Sequence, residues 1–278
     1  ELFQKIRSET ESARQAANKP HEVLYFHKVD DPYSHLTIQC LEQLKSSYEI
    51  TLKFILVGEE NLDAVHEPSL YNIYCLQDVN CIAPFYNIDF QAHEYPAKEL
   101  VEKANSILTA AKSDDLIEIA NKVSSALWEG DIGTLDKLSS TYFATKAEVK
   151  DNLIQGNKIR DAKGYYFGSA FYYGKELYWG VDRLPYLEER LADLGARKAH
   201  ETQNICPLKT EAPSQFTSDK KMNLYYYPSL NSPYTFVSTK RVRQMREDYP
   251  INLITKPVLP MLMRMMTIPG FKAKYIIS

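Results

Sequence analysis

The sequence has no apolar run near the roughly 20 residues needed to cross a bilayer, no excess of positive charge, and no closely spaced cysteine pair. Each absence removes a class of function. Without a spanning segment, and with the polar start ELFQKIRSETESARQ, the chain reads as a protein that does not enter the membrane. A formal net charge of -3 and a pI near 6.1 give no cationic field to draw it to a phosphate backbone, so nucleic acid is not an expected partner. The four cysteines, Cys40, Cys75, Cys81 and Cys206, form neither a CxxC pair nor a metal-ligand spacing. They fit a reducing, cytoplasmic setting. The first residue is Glu rather than Met, so a preceding segment, a removed signal included, is compatible with the sequence.

What is present is an ordinary globular composition, 44% hydrophobic and 25% charged over 278 residues, enough to bury a substantial core. Residues 1–20 read as a polar helix or arm. Val23 to Val29 is a short apolar and aromatic run of the kind that forms a buried strand. Asp31-Pro32 follows at once, and an acceptor side chain before a proline is a helix start, because Asp can cap free N–H groups and Pro at the first helical position loses no needed donor. Leu36, Cys40, Leu41 and Leu44 then recur at helical spacing. Ile50 to Val57 gives the next strand, ended by Gly58. The 20 tyrosines point to half-buried packing with satisfied hydroxyls.

From Pro68 to about Ala162 the pattern is helical throughout. Strand character returns at Tyr165 to Tyr173 and at Glu176 to Trp179, with Gly174-Lys175 as a tight turn between them. Pro185 to Leu194 is an amphipathic helix closed by Gly195. The order β-α-β, helices, β-β-α is the thioredoxin-like arrangement with an all-helical insertion, an α/β fold. Residues 1–195 are therefore expected to form one such domain with its insertion at about 68–162, and residues 196–221, rich in Lys, Thr, Ser and Pro, a linker.

Beyond the linker, LYYYPSLNSPYTFVSTKRVRQMREDYPINLITKPV repeats the pattern of LYFHKVDDPYSHLTIQCLEQLKSSYEITLKFILV. Pro32-Tyr33 matches Pro233-Tyr234, and the register continues without a gap through Gln43 and Gln244, Tyr48 and Tyr249, and Val57 and Val258. Residues 222–278 are thus expected to be the opening half of a second thioredoxin-like copy. Half such a core cannot bury both faces of its sheet, so either further sequence completes it or it packs on the first domain.

Three stretches resemble the 2-hydroxychromene-2-carboxylate isomerase and kappa-class glutathione transferase branch of the DsbA-like thioredoxin proteins. Ser232-Pro233-Tyr234 is similar to the family's S-P-Y segment, Trp179 to Leu184 to its W-G-x-D-R-L motif, and Arg264 to Tyr275 to the stretch before its helical insertion. The resemblance implies a glutathione-dependent isomerase or transferase acting on a hydrophobic, aromatic electrophile, with a homodimer among the admissible assemblies. It implies that Ser232 holds the sulfur of glutathione at a helix start, with further contacts from Pro233, Tyr234, Asp182, Arg183, Ser169 and Ala170. A thiolate there is stabilised by unpaired N–H groups and the helix dipole.

The first copy departs from the pattern twice. It has Asp31 where the family has its serine, and Gly168-Ser169-Ala170-Phe171 where thioredoxin folds place a proline facing the site. A carboxylate beside a thiolate repels it and raises the thiol pKa. The first copy is therefore read as degenerate, with catalysis centred on Ser232, and a non-catalytic binding module is the alternative for the whole chain.

Plainer readings stand beside these. Asp31 and Ser232, the two candidate catalytic residues, can instead be simple helix caps, Asp182 can either bind an amino group or cap the last helix, and Arg183 can be a structural ion-pair partner. His27 and His35 flank the strand-to-helix turn and can be general bases or packed, hydrogen-bonded core residues. The cluster Met261, Met263, Met265 and Met266 suits core packing or the wall of an aromatic site. Cys75 and Cys81 read as buried helix residues rather than a disulfide pair.

Overall fold

The structure is a computed structural model that describes residues 2–59, 65, 67–111, 115–200, 203–208, 220–230, 232–260 and 263. The chain divides into two units, Glu1–Leu208 and Lys209–Ser278.

The first unit begins with α1 (Leu2–Ala16), then β1 (His21–His27), α2 (Pro32–Ser47) and β2 (Ile50–Leu56). Five helices follow: α3 (Pro68–Tyr86), α4 (Lys98–Ala110), α5 (Leu116–Glu129), α6 (Ile132–Thr141) and α7 (Lys146–Ala162). The unit closes with β3 (Ala170–Tyr173), β4 (Glu176–Trp179) and α8 (Leu184–Asp193). The sheet order is β2-β1-β3-β4, with β1 parallel to β2, β3 antiparallel to β1, and β4 antiparallel to β3. That order and those directions make this a thioredoxin-like fold, and the helical insertion runs from Pro68 to Ala162 as its sequence pattern indicates.

The period-2 alternation of β1 explains its place at the centre. Val23 and Tyr25 join the main core with α2 and the insertion, while Leu24 and Phe26 pack with Val57 and Ala170 on the opposite face. Helix α2 buries Leu36, Leu41 and Leu44 completely, a contribution of about 2 kcal/mol each. Helix α7 lies so close to β2 that only glycine fits at Gly156, where an added Cβ would stand 1.9 Å from the Leu56 carbonyl oxygen. The β3–β4 turn is the expected Gly174-Lys175, both at positive φ as a two-residue hairpin turn needs.

Two expectations are corrected. Strand β3 starts at Ala170, not Tyr165, because Ser169 adopts a left-handed φ of 54° that interrupts the extended chain. Tyr165, Tyr166 and Phe167 instead pack on one another, and Phe167 stacks on Tyr71 of α3. The linker does not start at residue 196, since residues 196–208 belong to the first unit. There Arg197 donates to the Tyr48 hydroxyl at 2.8 Å, the Ile205 amide donates to the Glu188 carboxylate at 2.9 Å, and Cys206 is buried.

In the second unit β5 (Met222–Tyr226), α9 (Pro233–Asp248) and β6 (Ile251–Thr255) form a parallel β-α-β unit. Its helix, like α2, has 16 residues, starts at a proline and is C-capped by a tyrosine, Tyr249 here and Tyr48 in the first unit. No residue of α9 is fully buried.

Candidate functional site

The turn from β1 into α2 carries the residues that the sequence singles out. Asp31 is the N-cap, and its carboxylate accepts hydrogen bonds from the amides of Tyr33 (3.3 Å) and Ser34 (3.0 Å) and from the Ser34 hydroxyl (2.7 Å). These are the donors a helix start offers to any anion. In the first unit they are taken by the chain's own carboxylate, which leaves no vacant charge-stabilising position for a thiolate.

The loop before β3 closes over this cap. A Cβ on Gly168 would come within 2.8 Å of the Ser34 hydroxyl and 2.9 Å of the Asp31 carboxylate, so the backbone approaches the cap as closely as glycine allows. Ser169 is fully buried. Its hydroxyl donates to the Tyr33 carbonyl at 2.9 Å and pairs with Thr37 at 2.7 Å. Ala170 is also fully enclosed, opposite Phe26 and Trp179 in the sheet. Of the two expected glutathione contacts, the Ser169 side chain is therefore spent on α2, and that of Ala170 on the opposite face of the sheet with Leu24, Phe26 and Val57.

Two hollows flank Pro32-Tyr33. One of about 260 Å³ is lined by Asp31, Pro32, Tyr71, Cys75 and Tyr95. Burial pushes the Cys75 thiol up to about 11, so it is no ready nucleophile. The other, of about 400 Å³, is walled by Tyr33, Phe85, Tyr86 and Trp179, with Asp78 and Asp182 as its acids. The Tyr33 ring lies 5.0 Å from that of Trp179, and its hydroxyl donates to Asp78 at 2.7 Å. Burial raises the Asp182 pKa, the nearby Arg183 guanidinium opposes the rise, and Asp78 adds to it. The sequence does not show this aromatic hollow, because Tyr33 and Asp78 lie 45 positions apart and only the W-G-x-D-R-L stretch hints at it.

Asp182 does not cap the last helix. The N-cap of α8 is Arg183, which makes no side-chain cap bond and sits 3.6 Å from the Asp182 carboxylate. His27 and His35 are packed residues. His27 Nδ1 meets the Tyr25 hydroxyl at 3.2 Å and His35 Nδ1 the Ser124 hydroxyl at 2.8 Å, and burial lowers their pKa values to about 3 and about 4. Cys75 is buried in α3 as expected, whereas Cys81 is exposed.

Ser232, Pro233 and Tyr234 belong to the second unit. Ser232 is the N-cap of α9 in extended conformation, yet its hydroxyl makes no bond to the helix amides. Pro233 and Tyr234 are exposed. Met263 is exposed, while Met261, Met265, Met266 and the stretch Arg264 to Tyr275 lie outside the described residues. Among the described residues no group of three His, Cys, Asp or Glu side chains could hold a metal, and no helix is long and apolar enough to cross a membrane.

No protein-family model matches the chain, and no curated protein matches it. Among solved structures, a selenomethionine-labelled 2-hydroxychromene-2-carboxylate isomerase is similar at 21% identity and a TM-score of 0.43, over 63% of this chain and 96% of that one. A Nitrosomonas europaea protein described as a candidate protein disulfide isomerase is similar at 14% identity and a TM-score of 0.47, over 63% of this chain and 97% of its own. The thioredoxin-like fold of the first unit rests on its own strand order.

Proposed function

We propose that the chain is a glutathione-dependent isomerase or transferase-like protein of the DsbA-like thioredoxin family, acting on a hydrophobic electrophile, with Ser232 as its thiol-binding hydroxyl. The first unit is then a copy whose thiol position has been taken by Asp31. One contrast carries this reading: Asp31 spends its acceptors on the first turn of α2, whereas the Ser232 hydroxyl makes no bond to the first turn of α9.

The donor set in the second unit suits a thiolate. A hydroxyl donates one hydrogen bond to sulfur, and the helix start adds amide donors and the positive end of a dipole, which together lower a thiol pKa. When bound there, glutathione would supply a thiolate for reversible addition to a conjugated double bond, and Ser232 would hold its sulfur. Tyr234, 84% exposed beside Ser232, offers an aromatic surface to the substrate. The duplication of a β-α-β unit and a reducing compartment belong to the same proposal.

A second reading, a non-catalytic module, is favoured by the fully engaged Asp31 cap together with the aromatic hollow beside Tyr33, which would bind an apolar group without a thiol. Thermal unfolding of the whole chain with and without millimolar glutathione separates the two. A ligand that binds only the folded form at about 100 times its Kd adds about 2.7 kcal/mol of stability. The expected result is a rise in melting point that Ser232→Ala abolishes. No rise, or a rise unchanged in Ser232→Ala, overturns the assignment of Ser232 and favours the binding module.

A further inference from the structure

Cys40 and Cys206 are 166 positions apart in sequence, but their sulfur atoms stand 3.7 Å apart. Cys40 lies on the buried face of α2 and Cys206 in the segment that follows α8; they are 5% and 1% exposed. Neither has another sulfur or a metal cluster among the described residues to explain the pairing.

We propose that Cys40 and Cys206 are a redox-responsive thiol pair that closes to a disulfide by exchange with an oxidised low-molecular-weight thiol. The thiolate of Cys206 attacks one sulfur of the external disulfide and releases one small thiolate. The Cys40 thiolate then attacks Cys206 in the resulting mixed disulfide and releases the second. The protein loses two electrons and two protons, and the small disulfide is reduced to two thiols. The sulfurs, 3.7 Å apart, have to close to about 2.05 Å for the bond to form.

The surroundings set the conditions of this exchange. Cys206 is held in place by the neighbouring Ile205 amide, which donates to both oxygens of the Glu188 carboxylate at 2.9 and 3.1 Å, while the Tyr48 hydroxyl donates to the same carboxylate at 3.1 Å. Arg197 completes the anchor through Tyr48 and Asn204. No helix or strand holds the segment 203–208; these polar bonds and the packing of Ile205 and Cys206 in the core are what must break for it to lift and expose both sulfurs. Until it lifts, the bond to Cys206 and burial hold the Cys40 thiol well above its ordinary pKa, which keeps that thiol unreactive. Closing the bond fastens the chain to α2 just before it leaves the first unit at Leu208.

The test uses the full chain carrying Cys81→Ser, which removes the exposed thiol, equilibrated over a series of ratios of glutathione to glutathione disulfide and quenched with acid and an alkylating agent. The expected product is lighter by two hydrogen atoms, contains a peptide linking Cys40 to Cys206, reverts with excess reduced glutathione, and melts at a higher temperature than the reduced chain. Cys40→Ala on the same background is expected to lose the linked peptide; if it does not fold, Cys206→Ala serves the same purpose. Retention of both free thiols at the most oxidising ratio, or glutathione adducts without the linked peptide, overturns the proposal.

Discussion

Replacing Asp31 tests whether the carboxylate owns the start of α2. In Asp31→Ala the Tyr33 and Ser34 amides and the buried Ser34 hydroxyl lose their acceptor. Loss of an N-cap costs about 1 kcal/mol, loss of a charge near a helix start about 0.3–1 kcal/mol, and a buried hydroxyl left without its acceptor about 1 kcal/mol. The sum is about 2–3 kcal/mol. For a unit of this size each kcal/mol moves the melting point by about 2–4 °C, so circular dichroism melts should show a fall of about 5–10 °C. Asp31→Ser restores a capping hydroxyl without the charge and should recover most of that loss. A hydroxyl that caps holds the same amides, so the first unit should still not respond to glutathione. A loss below about 0.5 kcal/mol in Asp31→Ala would refute the claim that this carboxylate fills the anion position. An Asp31→Ser chain as stable as the wild type that does respond to glutathione would show that the charge of Asp31, and not its hold on the amides, separates the two units.

Gly156→Ala should destabilise the chain by roughly 2 kcal/mol or more, although alanine favours a helix by about 1 kcal/mol, because the new Cβ can be placed only if α7 withdraws from the Leu56 carbonyl; an increase in the urea midpoint would contradict that close approach. Acid should weaken the fold well before its ordinary carboxylates titrate. His27 and His35 have folded pKa values of about 3 and about 4 against 6.5 when unfolded, so the unfolded chain takes up protons that the folded chain refuses. Their stability is complete above the unfolded value and declines below it, by about 2.5 kcal/mol for the pair between pH 7 and 5.5. His27→Phe should halve that decline in urea titrations at the two pH values, and an unchanged slope would show that His27 is reached by protons in the folded state. Asp182 and Glu188, whose pKa values burial raises, act in the opposite direction, so the difference between wild type and variant is the cleaner measure.

What could be read from the sequence was whatever is decided within one or two turns of chain. Asp31-Pro32 marks the first residue of α2, the spacing of Leu36, Cys40, Leu41 and Leu44 marks its buried face, and Pro68 and Ala162 bound the insertion. Reading failed where distant residues decide. The aromatic run at 165–167 suits a strand as well as it suits packing on Tyr71, and the left-handed Ser169 behind the choice is fixed by its bonds to Tyr33 and Thr37. The polar stretch after residue 196 has a linker's composition but a buried anchor, Glu188, in another element. The candidate site divides in the same way: the cap was legible, while the hollow beside Tyr33 depends on Asp78 and Trp179 arriving from separate elements.

The two helix starts also show why one sequence position can separate stability from chemistry. The amides at the start of a helix can hold one anion, and whichever group holds them excludes the other. Asp31 commits them permanently: the first turn of α2 is bonded, the glycine loop at 168 closes onto it, and the residues around it are buried. Ser232 is a good capping residue that does not cap, which leaves about 1 kcal/mol of helix stability unrealised in a unit whose helix has no fully buried residue. An aspartate there would recover that stability. A hydroxyl that forgoes it keeps the helix start open to an incoming anion, and under the proposed function the less stable arrangement is the one that would receive the thiolate.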